Sequence, residues 1–523
     1  MTGGQSTPLS RHMLECICVV ALFCIGFHFV SERIAHRGLP SGDEGSWLSV
    51  SARFCQGRGF STNWLEYQFQ KPYVLPRPDD FRYPGLTVVL ASVFTCAGIS
   101  YAAALKTCGA LFLCFCGGAY FFVRKVFGRA TAVLTLCAMV FSLHQLQWNT
   151  IVYCEGLFGL VLAAVLILSM SLNPRKKSWW VALGAAIGIL TMIRPNGILV
   201  SAGLIGQWVW MRRTKPTPAR YCAYSFCALS AVVAPWCIRN MLCFGNPFHI
   251  AGGAGLLQRS FSEPVNESVF AFVKTAGLLF PFKAALLGVP RFFSTLNFFE
   301  HGLCVPLLLF FAIGCIRRVR FFSAFAATGF ALSFVMCCYA AYKSYAGVRY
   351  FSPFLPFVYA FGIQSAVSLA RGLSIVRSSR LIAYAAYGCI GLAFLAPVFY
   401  PHRYYERIFA AQPKQGFDCS EHLSILHSLL TNNESYCAGK LGQLNFLTGR
   451  NCVGVQEDFD SAMVKKMLTT FKPAVLALAP EELTQPRFTR FIEALGRNHC
   501  TIRQQAQRAW GTYFSIAYVN NYE

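Results

Sequence analysis

Residues 105–129 read LKTCGALFLCFCGGAYFFVRKVFGR, an apolar run over 105–123 that stops at Arg124, Lys125 and Arg129. Wound as a helix, such a run is about 30 Å long and matches the hydrocarbon thickness of a bilayer. A comparable run over 13–30 follows Arg11 and lacks the small-x-small cleavage site of a removable signal, so it is expected to remain as a span. Further runs over 130–147, 150–171, 179–194, 197–211, 220–237, 302–316, 321–341, 351–370 and 381–400 predict about eleven crossings. Composition agrees with this reading. Of 523 residues, 55% are hydrophobic and 13% charged, with a mean hydropathy of +0.46, whereas a soluble domain is about 25% charged.

Basic connectors punctuate the runs: Arg124, Lys125 and Arg129; Arg175, Lys176 and Lys177; Arg212, Arg213, Lys215 and Arg220; Arg317, Arg318 and Arg320; Arg371, Arg377 and Arg380. Lys and Arg collect in short cytoplasmic loops, and an even number of runs separates each connector from the next, so all five are expected inside. The stretches 31–83, 238–300 and 342–350, and everything after Tyr400, then fall outside. Only one crossing fits between the 31–83 loop and Arg124, so Pro84 to Ile99 is expected to be a re-entrant or interfacial helix. The net charge of +24 sits mostly in the membrane part, because the tail from 401 has thirteen Lys and Arg against eleven Asp and Glu. Cytoplasmic loops facing anionic lipid account for that excess, and no nucleic-acid partner is expected.

The expected fold class is an all-α polytopic membrane domain with a C-terminal extracytoplasmic α/β domain. The division expected is 1–400, with outer loops 31–83 and 238–300, and a soluble domain over 401–523. In the tail, helical stretches (Glu421 to Leu430, Asp460 to Phe471, Phe488 to Leu495) alternate with strand-like runs (Tyr436 to Ala438, Val453 to Val455, Ala474 to Leu478, Tyr513 to Val519). Most of the 23 cysteines lie inside spans and read as small buried apolar residues. The pairs at 16–18 and 114–116 have no partnering cluster for zinc. Cys419, Cys437, Cys452 and Cys500 leave a tail disulfide open. GGAG at 252–255 is a flexible loop and a weak phosphate signal.

Acids are scarce, with 22 against 46 Lys and Arg, so the adjacent Asp43 and Glu44 on the outer side ask for a reason. After them Trp47, Val50 and Phe54 recur at helical spacing opposite Ser49, Arg53 and Gln56, which predicts a helix lying on the membrane surface. Asp43, three residues before Ser46, suits both a helix cap and a base. Glu155 in TIVYCEGLFGL lies near the outer end of a run, where a carboxylate is costly. Arg194 in TMIRPNG, beside Pro195 and Gly197, suits either an outer cavity or snorkelling to the interface. Arg239 and Arg349 lie just outside spans, as do Arg58 and Arg82. Outer arginines oppose the positive-inside bias, and their planar donor forks suit an anionic group such as phosphate.

Read in order, DE with a helix ending GRGF, RYPGL, RKVFGR, YCEGLF, TMIRPNG, PWCIRNMLCFGNPF and RYFSPFLP resemble the membrane glycosyltransferases of the C-type superfamily. Within it they are most similar to the polyprenyl-phosphate-sugar-dependent branch of protein O-mannosyltransferases and aminoarabinose transferases. The resemblance covers most of residues 10–400 and, through FLTGR and the strands after it, the tail. It implies that Asp43 is a general base deprotonating an acceptor hydroxyl or amine, and that Glu44 is the second acid of the pair. It also implies that Glu155 orients the acceptor or a divalent metal, and that Arg194, Arg239 and Arg349 lie near the lipid phosphate. Arg82-Tyr83-Pro84 departs from the family's usual histidine-proline or double proline, and Asn196 stands where an acid is frequent. The implied partners are a polyprenyl-phosphate-sugar donor, membrane lipids and an acceptor glycan, lipid or protein, in a multi-pass protein of the inner or plasma membrane. A transporter or lipid flippase is the alternative, and would show repeats with midplane sites; no repeat is present in the sequence.

Overall fold

The computed structural model describes residues 8–37, 40, 43–65, 73–171, 176–214, 219–249, 269–299, 324–343, 345–373, 385–390, 392, 419–430, 434–438, 445–448, 450–455, 461–478, 483, 485–498, 500–508 and 511–518. In chain order the first helices are α1 (Pro8–Ala35), α2 (Glu44–Cys55), α3 (Pro84–Ala97), α4 (Tyr101–Phe127), α5 (Arg129–Phe141), α6 (Leu143–Asn149) and α7 (Glu155–Ser171). They are followed by α8 (Lys177–Ile193), α9 (Gly197–Thr214), α10 (Ala219–Phe244), α11 (Val269–Ala276), α12 (Phe280–Phe299), α13 (Ala324–Lys343), a 3-10 segment (Tyr345–Phe354) and α14 (Leu355–Leu373). Two compact units result, neither contiguous in sequence. One comprises Met1–Ala35, Lys106–Pro247 and Val273–Ala410; the other comprises His36–Leu105, Phe248–Phe272 and Ala411–Glu523. The expected domain boundary at residue 400 lies outside the described residues.

The first unit is helical. Among the described residues, His12–Ala35, Tyr101–Phe127, Ala219–Phe244 and Val348–Ala370 are long and apolar enough to cross a membrane, and α5 with α6 adds a fifth if their 63° bend falls within one crossing. The eleven expected were counted over the whole chain, including residues that are not described. The expected span 150–171 becomes a helix only from Glu155, because residues 150–154 are irregular. At 17 residues each, α7 and α8 are about 26 Å long, just under the bilayer thickness. Runs 302–316 and most of 381–400 lie outside the described residues. The bend after α5 has a local cause: Ser142 turns extended, and its Oγ accepts the Gln145 N–H at 2.9 Å to cap α6.

The second unit carries a six-stranded sheet built from β2 (Trp64–Leu65), β4 (Tyr436–Ala438), β5 (Cys452–Gly454), β6 (Val475–Leu478), β7 (Cys500–Arg508) and β8 (Gly511–Tyr518). Its order is β2-β5-β4-β6-β8-β7, parallel from β2 to β6 and antiparallel beyond. A two-residue strand, β1 (Ser61–Thr62), pairs separately with β3 (Arg77–Pro78). Helices α15 (Cys419–Leu429), α16 (Asn445–Thr448), α17 (Ser461–Phe471) and α18 (Pro486–Arg497) complete the tail. Leu65, Val453, Val464, Leu476, Phe491 and Ile516 share one buried core. The four expected tail strands and three helices are all present. Two strands of the six-stranded sheet were not expected: β7, whose CTIRQQAQR is too polar for a strand signal, and β2, which has only two residues. Cys437, Cys452 and Cys500 are buried free thiols. At 14 residues, α3 is about 21 Å long and too short to cross by itself.

Helix α8 approaches α10 so closely that a Cβ on Gly184 would collide with the Ser225 carbonyl oxygen. Gly184→Ala is therefore expected to cost about 2 kcal/mol, read as thermal unfolding in detergent. Gly117→Ala, whose Cβ would meet only a Phe23 ring carbon at 3.7 Å, should leave stability within about 0.5 kcal/mol.

Candidate active site

Asp43 and Glu44 stand at the start of α2 in the second unit, and their carboxylates go to different partners. Glu44 is fully buried; it accepts from Arg37 Nη2 at 2.5 Å and from the Tyr101 hydroxyl at 3.1 Å. Arg37 Nε donates to the same hydroxyl at 3.2 Å, closing a three-membered ring. Burial alone would lower the Arg37 pKa, but the Glu44 carboxylate beside it raises the pKa above that of an ordinary arginine.

Asp43 is 16% exposed and pairs with Arg82 Nη2 at 3.2 Å. Arg82 is itself held in place: Nε donates to Ser46 Oγ at 3.0 Å, and its guanidinium lies 4.3 Å from the Phe81 ring centroid and 5.4 Å from that of Trp47. The expected cap is corrected here. The Asp43 side chain makes no cap hydrogen bond, because Arg82 engages both Asp43 and Ser46, and a charge-assisted pair outcompetes a cap on a neutral N–H. The expected surface helix is corrected as well. Trp47 and Val50 are buried as its spacing requires, but Ser49 is buried too, against Thr62 and Asn63, while Phe54 is 39% exposed. The polar face of α2 packs on protein through Arg53 Nε, which donates to Ser61 Oγ at 2.9 Å. Arg58 lies in the exposed turn after α2, roughly 18 Å along the helix from the acids.

A second acidic pair escaped sequence reading. Asp79 and Asp80 follow β3, and Asp80 pairs with the fully buried Arg77 at 2.7 Å and with His249 Nε2 at 2.9 Å. Asp79 accepts the Arg82 backbone N–H at 2.8 Å. Burial, then the neighbouring Asp80 charge, pushes the Asp79 carboxyl up to about 6 despite Arg77 and Arg82 nearby. The signal available was the DD doublet between two arginines in RPDDFR.

In the first unit, Glu155, Arg194 and Arg349 converge although they come from three elements. Glu155 is fully buried at the start of α7; Arg194 Nη2 donates to it at 2.8 Å and Arg349 Nε lies 3.8 Å away. Arg194 is the C-cap of α8, where Pro195 stops the helix, and Arg349 sits in the 3-10 segment. The Arg194 guanidinium lies 4.5 Å from the Tyr350 ring centroid and that of Arg349 lies 4.6 Å from Tyr153. A buried network missed by sequence reading ties this segment to α6: Gln145 Nε2 donates to the Ser352 carbonyl at 2.7 Å, and Asn149 Nδ2 to Gln145 Oε1 at 2.9 Å. Among the described residues, Arg194 Nη1 and Glu155 Oε2 are buried without a hydrogen-bond partner. Arg239 packs on Trp236 at 4.7 Å and Phe244 at 5.1 Å, and bonds Asn240. No group of three His, Cys, Asp or Glu converges as a metal site among the described residues. Two guanidinium groups repel a divalent cation, so Glu155 does not fit the role of metal ligand.

No protein-family model matches the sequence, and no curated protein matches it. Among solved structures the chain is similar to ArnT from Cupriavidus metallidurans bound to undecaprenyl phosphate, with TM-score 0.58 and 14% identity over 95% of this chain and 97% of that one. It is also similar to the oligosaccharyltransferase of Archaeoglobus fulgidus in the apo form, with TM-score 0.58 and 12% identity over 97% of this chain and 74% of that one. The same archaeal enzyme, AglB, in complex with an inhibitory peptide and a dolichol-phosphate gives TM-score 0.55 at 11% identity, over 95% of this chain and 74% of that one. The chain therefore shares its fold with ArnT and with the archaeal oligosaccharyltransferase AglB.

Two stability outcomes follow from the buried acids. Glu44→Ala leaves Arg37 buried without its counter-charge and is expected to cost 3–5 kcal/mol in chemical denaturation, roughly, against about 1 kcal/mol for Tyr101→Phe. For Asp79 the sign is opposite. The folded chain holds its proton up to about pH 6 whereas the unfolded chain releases it near 3.8, so stability falls as pH rises across that window. Asp79→Asn is expected to stabilise the protein at pH 7.5 by up to about 3 kcal/mol and to match it below pH 4, roughly, in thermal melts.

Proposed function

We propose that the protein is an integral-membrane glycosyltransferase that moves a sugar from a polyprenyl-phosphate-linked donor to an acceptor on the extracytoplasmic face, with Asp43 as general base. The observation that carries this reading is the division between two adjacent acids. Glu44 has both oxygens engaged in a sealed ring and positions the start of α2. Asp43 pairs with Arg82 and keeps 16% of its side chain exposed, so its carboxylate is within reach of an acceptor proton. The ArnT structure bound to undecaprenyl phosphate and the AglB structure with a dolichol-phosphate support a lipid-phosphate donor.

Chemically, Asp43 takes the proton of an acceptor hydroxyl or amine while the acceptor atom attacks the anomeric carbon. The bond from that carbon to the phosphate oxygen breaks, and its electron pair leaves with the lipid phosphate. One base acting opposite the leaving group inverts the anomeric centre. Double displacement needs a second, opposed carboxylate, and Glu44 is sealed. The departing phosphate needs cations, and Arg194, Arg239 and Arg349 are assigned that role. Arg194 Nη1, a buried donor without a hydrogen-bond partner among the described residues, suits a phosphate oxygen.

Asp43→Asn is expected to lower transfer from a polyprenyl-phosphate-sugar donor at least 100-fold, roughly, with the thermal melt unchanged. Loss of one sugar increment from envelope lipids and glycans in cells carrying the variant, followed by mass spectrometry, checks the same step. Unchanged transfer would remove Asp43 as the base.

A further inference from the structure

A recess opens where α4 ends and α5 begins, in the first unit, with a volume of about 610 Å³. Arg124, Lys125 and Arg129 line it together with the apolar Phe121 and Ile167. Ile167 is twelve positions after Glu155 on α7, roughly 18 Å along the axis, so the recess is separate from the Glu155 cluster. Gly128 makes the break, with φ +89°, a conformation that favours glycine; it lets the last turn of α4 and the first of α5 present their cations to one space.

Arg124 and Arg129 are preorganised by a carboxylate on α1. Glu15, nearly buried, takes Arg124 Nε at 2.6 Å and Nη2 at 3.2 Å, Arg129 Nε at 3.3 Å and the Tyr120 hydroxyl at 2.5 Å. Arg129 Nη2 also lies 2.7 Å from His12 Nε2. The Arg124 and Arg129 guanidinium groups share the single charge of Glu15, which leaves positive charge over, and they keep 37% and 44% of their side chains exposed. The apolar lining includes Phe121, 63% exposed. Fixed guanidinium groups beside an exposed aromatic suit a ligand with an anionic head and an acyl tail. Basic pockets between membrane helices at the positive-inside face hold such headgroups, and the volume lies in the range of small-molecule sites.

We propose that this recess binds one anionic glycerophospholipid, its phosphodiester on Arg124, Lys125 and Arg129 and its chains along Phe121 and Ile167. The test is native mass spectrometry of the full chain in mixed micelles of phosphatidylglycerol and phosphatidylcholine. One phosphatidylglycerol per chain is expected, retained at least fivefold over phosphatidylcholine. In Lys125→Gln/Arg129→Gln, which leaves Arg124 and Tyr120 on Glu15, retention should fall by roughly fivefold per charge removed. Ile167→Asp keeps every cation but sets a carboxylate in the apolar lining, and should expel the lipid as well. Equal retention of the two lipids, or unchanged phosphatidylglycerol in both variants, would overturn the proposal. So would displacement by inorganic phosphate at equal concentration, since the site would then recognise a free anion.

Discussion

A carboxylate taken out of water must bring its counter-charge with it, and the buried glutamates of this chain obey that constraint each time. Glu15, Glu44 and Glu155 are all buried, and each meets at least one arginine: Arg124 and Arg129, Arg37, and Arg194 with Arg349. Such pairs add little net stability over an apolar replacement, but breaking one strands a charge. They fix which segments meet. Glu155 holds the end of α8 and the 3-10 segment, elements whose apolar surfaces alone would let them slide. In a protein whose lipid-facing side chains supply no directional contacts, these pairs are what specify register.

The same rule separates residues that shape the candidate site from those left for chemistry. Adjacent acids on one backbone have similar intrinsic acidity, so environment decides between them. Glu44 is fully buried with both oxygens engaged, whereas Asp43 pairs with Arg82 and keeps 16% of its side chain exposed. Arg82, read from sequence as a ligand for phosphate, instead holds Asp43 and Ser46 and is clamped by Phe81 and Trp47. Two residues before the proline of α3, it gives Asp43 a fixed cationic partner.

How far the sequence disclosed this differs by scale. Long apolar runs and basic connectors marked α1, α4 and α10 because hydrophobicity over some twenty residues is a strong local signal. The tail strands were legible because short apolar runs alternate with amphipathic helices there. Glu155, Arg194 and Arg349 were singled out as costly or misplaced charges, and the fold brings those three together. What stayed hidden depends on distant partners. Two-residue strands such as Trp64–Leu65 have no period to detect. Ser49 looked like a solvent-facing residue because its partners, Thr62 and Asn63, lie beyond the helix. Asp79 and Asp80 were passed over in a loop, and only the fold shows them set against Arg77 and His249.

The short β2 strand has a consequence for biogenesis. It pairs with β5 at the edge of the tail sheet, and Asn63 beside it donates to the Arg450 carbonyl at 2.8 Å across 387 residues of sequence. A ribosome adding roughly 5–20 residues per second makes the two partners tens of seconds apart. The early loop must wait, unpaired, while the intervening helices are inserted. Trp64 and Leu65 gain their neighbouring strand only when Cys452–Gly454 has been made, so this edge of the sheet closes after the intervening helices.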